Sequence, residues 1–167
     1  TVRNAKGEEN RESYDKLLLS PGANPVKPPL PGIESEGIFT IRNVDDTDHI
    51  KKYMRSHPIR KVVVVGAGFI GLEMAENLHA TGAHVSIVEM AEQVMTPIDF
   101  SMAGLVHQHL YQKHVDLHLN QAVKGFVPVS GPDPLIRVQL NNGNVLEADL
   151  VILSIGVRPD TSLAKQA

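Results

Sequence analysis

The stretch KVVVVGAGFIGLEMAENLHATGAHVSIVE, residues 61–89, decides how this chain is read. An apolar run from Val62 to Val65 leads into Gly66, Gly68 and Gly71, spaced as G-x-G-x-x-G. A helical pattern follows, then a glycine-containing turn, then a second apolar run ending in Glu89. That order of strand, tight turn, helix and strand is the context in which this glycine spacing binds a dinucleotide. Gly66 permits the tight turn, Gly68 lets the backbone approach a pyrophosphate, and Gly71 lets the helix pack closely on the strand. Ala67, Phe69 and Ile70 complete the loop and the start of the helix, whose unpaired N–H groups and positive dipole end face the phosphates. Glu89, eighteen residues after Gly71, is placed to accept hydrogen bonds from the adenosine ribose hydroxyls. A carboxylate there repels a 2′-phosphate, and Met90 and Ala91 supply no arginine to receive one. The expected cofactor is therefore NADH rather than NADPH.

The rest of the chain frames this unit. Its 167 residues suit one domain with a substantial core, with pieces of a neighbour. Hydrophobic residues make up 42% and charged residues 21%, the balance of a globular protein. The net charge of −3 and the lack of a basic block argue against a nucleic-acid partner. No apolar stretch approaches the length of a membrane span and nothing resembles a signal peptide, so a cytoplasmic location is expected. Cysteine is absent, which excludes disulfides, thiolate metal sites and thiol redox chemistry carried by these residues. The chain runs from Thr1 to Ala167, and both ends are expected to continue into something longer.

Residues 1–13 are polar, with Gly7 marking a turn, and Tyr14 to Leu19 reads as a short buried strand stopped by Ser20-Pro21-Gly22. The proline-dense stretch from Pro21 to Pro31 reads as a stiff extended linker. Ile38 to Ile41 is a short strand; Asp45 or Asp46 caps a helix through Ile50 and Tyr53 to Ser56, ended by Pro58. After Glu89, Pro97 to Asp99 opens a helix with Met102, Leu105, Val106, His109 and Leu110 at helical spacing. Strands are expected at Val115–Leu119, Val123–Val127 and Leu135–Leu140, a hairpin at Asn141-Asn142-Gly143, a return strand to Ala148, and a last buried strand from Leu150 to Ile155. The fold class is α/β: a Rossmann-like FAD/NAD(P)-binding fold, with a parallel sheet, helices and an antiparallel β-meander crossover.

Three motifs, spread over nearly the whole chain, resemble the FAD-dependent pyridine nucleotide-disulfide oxidoreductases, most of all the NADH oxidase, NADH peroxidase and coenzyme A-disulfide reductase branch. YDKLLLSPGA, at Tyr14–Ala23, is similar to the segment that closes the first part of the family's FAD domain. VVVVGAGFIGLEMAENL, at Val62–Leu78, resembles the internal NAD(P)H fingerprint, and ADLVILSIGVRPDTSLA, at Ala148–Ala164, the return to the FAD domain. Ser20-Pro21-Gly22, where Ala-Thr-Gly is commoner, is similar to the coenzyme A-disulfide reductase-like members. The resemblance implies an inserted NADH-binding domain at residues 24–155, a flank resembling the FAD domain at 1–23 and a return segment at 156–167. It also implies a parent protein with FAD and dimerisation domains beyond this sequence, a homodimer that passes hydride from NADH to FAD and on to a disulfide, peroxide or oxygen.

By the same resemblance Glu73 faces the nicotinamide carboxamide and a lysine of the FAD domain, and Phe69 covers the flavin until nicotinamide displaces it. On pattern alone Glu73 is a first-turn carboxylate favoured by the helix dipole, and Phe69 a core residue. Gly156 and Val157 follow the last strand, at the sheet edge where they can contact the nicotinamide half. No catalytic residue is assigned within these residues, because the redox cysteine of the family is absent. Among eight histidines the nearest group is His107, His109, His114 and His118, but they point to different faces and lack a completing carboxylate, so no metal is expected. Two other readings of the fingerprint stand beside this one: an NAD(H)-sensing module without catalysis, and a site for the ADP half of FAD. In the absence of the FAD domain, residues 1–13 and 160–167 are expected to be poorly ordered.

Overall fold

Val62 to Val65 alternate between two cores, which explains why the whole run is apolar. Val62 and Val64 pack into one buried cluster, and Val63 and Val65 into a second on the other face of the sheet. Side chains alternate along a strand, so a strand covered on both faces needs an unbroken apolar sequence. Leu150–Leu153 behaves in the same way.

These runs belong to a computed structural model that describes residues 1–131 and 135–166. Residues 132–134, within the expected NADH-binding region, and Ala167, the end of the expected return segment, lie outside the described residues. In chain order the elements begin with β1 (Val2–Arg3), β2 (Glu9–Asn10), β3 (Ala23–Pro25), β4 (Ile38–Thr40) and α1 (Val44–Ser56). The central unit follows as β5 (Lys61–Val65), α2 (Phe69–Ala80), β6 (His84–Val88), α3 (Phe100–Gln112) and β7 (Asp116–His118). The chain then forms β8 (Val123–Val129), β9 (Leu135–Leu140), β10 (Val145–Ala148), β11 (Leu150–Leu153), β12 (Val157–Pro159) and α4 (Ser162–Gln166).

Five parallel strands make the main sheet in the order β4-β11-β5-β6-β7. One face is covered by helices: Ile50 and Tyr53 of α1, Ala75 and Leu78 of α2 and Leu110 of α3 share a core with Val62, Val64, Val85 and Ile87. The other face is covered by the antiparallel meander β10-β9-β8, through Phe126, Ile136, Val138 and Leu140. Asp149 fixes the corner between meander and sheet, its carboxylate accepting from the N–H groups of Arg60 (2.7 Å) and Lys61 (2.9 Å). The Asn141-Asn142-Gly143 turn closes β9 onto β10, with Gly143 at φ +88°. A Rossmann-type α/β sheet with a meander crossover is thus the observed fold.

Several local expectations change. Tyr14 to Leu19 forms no strand, and Tyr14, Leu17 and Leu18 are exposed; a strand needs a partner, and none among the described residues pairs with this run. The proline-dense stretch is more than a linker, since Leu30 and Ile33 pack into the meander core and Pro31 O accepts from Phe126 N–H at 2.8 Å. The cap of α1 is Asn43, two residues before Asp45 and three before Asp46, and Asp46 closes a reciprocal capping box. In α3, Met102 and Leu105 are exposed, and Ala103, Val106 and Leu110 form the inward face. Residues 1–13 carry β1 paired with β2 around Gly7; Asn4 Oδ1 accepts from the N–H groups of Lys6 and Glu8, and Arg3 pairs with Glu9.

The chain divides into two compact units, one of residues 24–158 and one of residues 1–23 with the C-terminal residues from Pro159. Among the described residues, every buried apolar one belongs to the first.

Candidate dinucleotide site

A cleft of about 660 Å³ opens where β11, β5 and β6 end, at the carboxyl edge of the sheet. This is where open α/β sheets hold ligands, because the loops there diverge to neighbouring strands and leave a crevice. Gly66, at φ +100°, turns the chain out of β5; a Cβ on it would lie 2.4 Å from Ser154 O. Gly71 sits where α2 crosses the turn, and a Cβ there would lie 2.0 Å from Gly66 O and 2.6 Å from Ser154 Oγ. Ser154 holds the crossing in place, its hydroxyl donating to Val65 O (3.0 Å) and Gly66 O (2.9 Å).

Gly68 is different. A Cβ there would meet no protein atom within 4 Å, so what its missing side chain keeps open is the cleft itself. Gly68 is also the N-cap of α2 and offers no side-chain acceptor. The first main-chain bond after it is Leu72 N–H to Gly68 O at 3.0 Å. The N–H groups of Phe69, Ile70 and Gly71 therefore have no intrahelical acceptor, and the positive end of the helix dipole is directed toward the cleft. The donor set and the open cradle fit a diphosphate.

Glu89 stands at the end of β6. Its Oε2 accepts from Ala67 N–H at 2.7 Å and its Oε1 from Ala91 N–H at 2.9 Å. These bonds tie the acid to the glycine turn and leave further acceptor positions on each oxygen for donors in the cleft. The loop beyond it is held by Met95 N–H to Ala67 O (2.9 Å) and Val94 N–H to His107 Nε2 (3.1 Å). His107 is thus a main-chain acceptor. Among the described residues no three His, Asp or Glu side chains gather to hold a metal ion.

The family profile described as pyridine nucleotide-disulphide oxidoreductase matches residues 1–167. The chain belongs to that family. It is 38% identical to the NADH oxidase of Methanocaldococcus jannaschii over 162 residues, covering 96% of this chain and 35% of that protein. It is 36% identical to the coenzyme A disulfide reductase of Staphylococcus haemolyticus, covering 100% of this chain and 36% of that protein. Among solved structures, reduced Bacillus anthracis CoADR-RHD superposes with a TM-score of 0.87 at 46% identity, over 96% of this chain and 28% of that one. The water-forming NADH oxidase of Lactobacillus brevis, bound to NADH, superposes with a TM-score of 0.80 at 32% identity, over 93% and 33%. The chain spans about a third of the length of the curated relatives it matches.

Within this oxidoreductase fold, Gly66, Gly68, Phe69, Ile70, Glu89 and Gly156 all line the cleft. Phe69 is 63% exposed, which sets aside the core reading of that residue. Ala67 and Gly71 are buried beneath it and shape the turn. Glu73 is elsewhere: it is the fifth residue of α2 rather than part of its first turn, and it lines a neighbouring groove between α1 and α2 with Ile70 and Met74. The dipole argument for Glu73 therefore weakens, since that effect fades within the first turn. Sequence reading passed over Ser154 and Gln121, which also line the cleft. Both directly follow the strands β11 and β7, or the turn after them, at the same carboxyl edge as Glu89; that rule was the available signal.

Among the described residues no helix is long and apolar enough to cross a membrane.

Proposed function

We propose that this chain is the NADH-holding part of a flavoprotein oxidoreductase, with residues 24–155 as the dinucleotide domain and 1–23 and 156–167 as flanks continuous with an FAD domain. The observation that carries it is the Glu89 carboxylate, fixed at the cleft by Ala67 N–H and Ala91 N–H. So held, its charge and remaining lone pairs favour two ribose hydroxyls over a 2′-phosphate. The N–H groups at the start of α2 would hold the diphosphate, and Gly68 would let it approach. Gly156 lines the same cleft beyond the end of β11, where it would contact the nicotinamide half. When bound, NADH supplies a hydride for the FAD of the parent protein. This chain contributes position and electrostatics; without cysteine, the onward step to a disulfide, peroxide or oxygen belongs to other parts of the parent. Phe69, exposed at the mouth, is suited to cover a flat ring system, and Glu73 to meet a cation of the FAD domain. A homodimeric, cytoplasmic parent completes the reading.

Calorimetric titration with NADH, NADPH and FAD, on the chain and on Glu89→Ala and Glu89→Gln, tests this. NADH should bind at least about tenfold more tightly than NADPH, a difference near 1.4 kcal/mol. The preference should shrink in both variants, and FAD should give no heat. FAD binding at the fingerprint, or an NADH preference that survives both substitutions, would overturn the proposal.

A further inference from the structure

Outside the cleft, one side chain of α3 holds the loop that begins at Glu89. Residues 89–99 join β6 to α3. Val94, in the middle of this loop, is fully buried, and its N–H donates to His107 Nε2 at 3.1 Å. Beside it Met95 adopts φ +53°, a left-handed conformation that a residue with a side chain enters at a cost. Two bonds keep it there: Met95 N–H donates to Ala67 O at 2.9 Å, and Ile98 N–H donates to Met95 O at 2.9 Å. Gln93, itself buried, closes the loop by donating from Nε2 to Ile98 O at 2.8 Å. Ala67 in turn donates its N–H to Glu89. One line of bonds thus runs from His107, through a strained loop, to the glycine turn and its acid.

Resting on the NADH reading above, we infer that His107 is a positioning residue whose protonation loosens the dinucleotide site, so that this chain holds NADH more weakly in acid. Nε2 accepts from Val94 only while the ring is neutral and carries its proton on Nδ1. A second proton goes to Nε2 and sets two donors face to face. Val94 is closed to water, so its N–H then has no replacement acceptor. With that bond gone, Met95 is free to leave its left-handed conformation, and Ala67 O loses its partner. A dinucleotide must then order the turn it binds, which lowers its affinity. On α3 the residues a turn to either side of His107 are Ala103, Gly104, Leu110 and Tyr111, and its ring meets Phe100 edge-on at 6.4 Å. The charged residues of the loop are Glu89, Glu92 and Asp99, and those of β7, which packs against α3, are Asp116 and His118. Among the described residues none of these side chains bonds to the His107 ring; Asp116 pairs with His84 and Glu89 with main-chain N–H groups. The coupling runs both ways: NADH, favouring the ordered loop, drives the proton off His107.

The test uses the 167-residue chain, His107→Gln and His107→Leu. A glutamine amide oxygen reaches the place of Nε2 and accepts at any pH, whereas leucine keeps apolar bulk and accepts at none. By calorimetry the wild-type affinity for NADH should fall about fivefold or more from pH 8 to pH 6, the interval over which imidazoles charge. Binding at intermediate pH should also release protons, seen as a heat that changes with the ionisation enthalpy of the buffer. His107→Gln should match the wild type at the alkaline end and keep that affinity in acid; His107→Leu should be weaker throughout. Without ligand, nuclear magnetic resonance should show the Val94 amide moving with the His107 ring and exchanging faster in acid. An acid loss of affinity shared by His107→Gln, or a Val94 amide indifferent to pH, would overturn the inference while leaving NADH binding intact. A chain that binds no NADH at any pH, although its Val94 amide follows His107, overturns the functional reading and the coupling that rests on it. If the leucine variant folds poorly, the glutamine variant carries the same decision.

Discussion

Gly68 and Gly71 share a motif but not a reason. At Gly71 the added methyl of an alanine meets Gly66 O at 2.0 Å, backbone that cannot retreat without opening the turn. At Gly68 the same methyl meets nothing. Gly71→Ala should therefore cost about 1–3 kcal/mol or more of stability, lowering the thermal midpoint by several degrees. Gly68→Ala should leave the midpoint nearly unchanged and weaken NADH by about tenfold or more, because on the proposed reading its methyl would stand where the pyrophosphate approaches. Thermal melts paired with titrations separate the two, and a Gly68→Ala chain with full affinity would remove the diphosphate from this turn. The glycine spacing and Glu89 were legible because their roles are local: a turn, a close crossing, and an acid at a set distance. Ser154 and Gln121 were not. They reach the site only because β11 lies beside β5 and the turn after β7 lies beside the Glu89 loop, and no spacing along the chain records that.

At the scale of elements, α1 shows how a helix is both started and anchored. Asn43 Oδ1 accepts from Asp46 N–H at 2.9 Å, and the Asp46 carboxylate accepts from Asn43 N–H at 3.2 Å. Asn43→Ala should cost about 1 kcal/mol, seen as a lower denaturation midpoint with unchanged slope. At the inner face of α1, Tyr53 lies in the core and donates to Asp149 O at 3.3 Å. Burial, with the nearby charges of Glu36 and Asp149, pushes its hydroxyl up from the ordinary value to about 12. Folding therefore favours the neutral phenol. That contribution is complete below about pH 10, the ordinary tyrosine value, and is lost as pH rises through about 12. Ultraviolet titration should show one of the three tyrosines ionising late, and Tyr53→Phe should delete that step and flatten the alkaline fall in stability. A late step that survives Tyr53→Phe would assign it to another residue. The doubly buried strands β5 and β11 and the β9–β10 hairpin could be read from sequence, since unbroken apolar runs and an Asn-Gly turn are strong local signals. Tyr14 to Leu19 looked like a strand for the same reason, but pairing is decided by what lies alongside. In the proline-dense stretch, Leu30 and Ile33 were masked by the prolines around them, although their burial makes the segment part of the meander core.

For the molecule as a whole, stability resides in one of its two units. Both apolar clusters, on the helix face and on the meander face of the sheet, lie within residues 24–158. In the other unit no described residue is buried; Leu19, Ala23 and Asp160 are the ones that are even partly covered. Its strands β1 and β2 are two residues each and wholly exposed, and α4 has five residues with no buried side chain. Short exposed elements of this kind add little burial, and burial is the main favourable term in folding. A protein trimmed to residues 24–158 keeps every core residue and every residue that lines the cleft. It should melt within roughly 2–4 °C of the 167-residue chain, the shift expected for a change of about 1 kcal/mol, and bind NADH with similar affinity. Calorimetric melting and titration of both forms check this. A collapse in stability on trimming would show that residues 1–23 and the C-terminal segment contribute to the folded state through more than their own buried area. A loss of affinity with stability preserved would instead place part of the NADH contact outside residues 24–158, and so redraw the boundary of the binding unit.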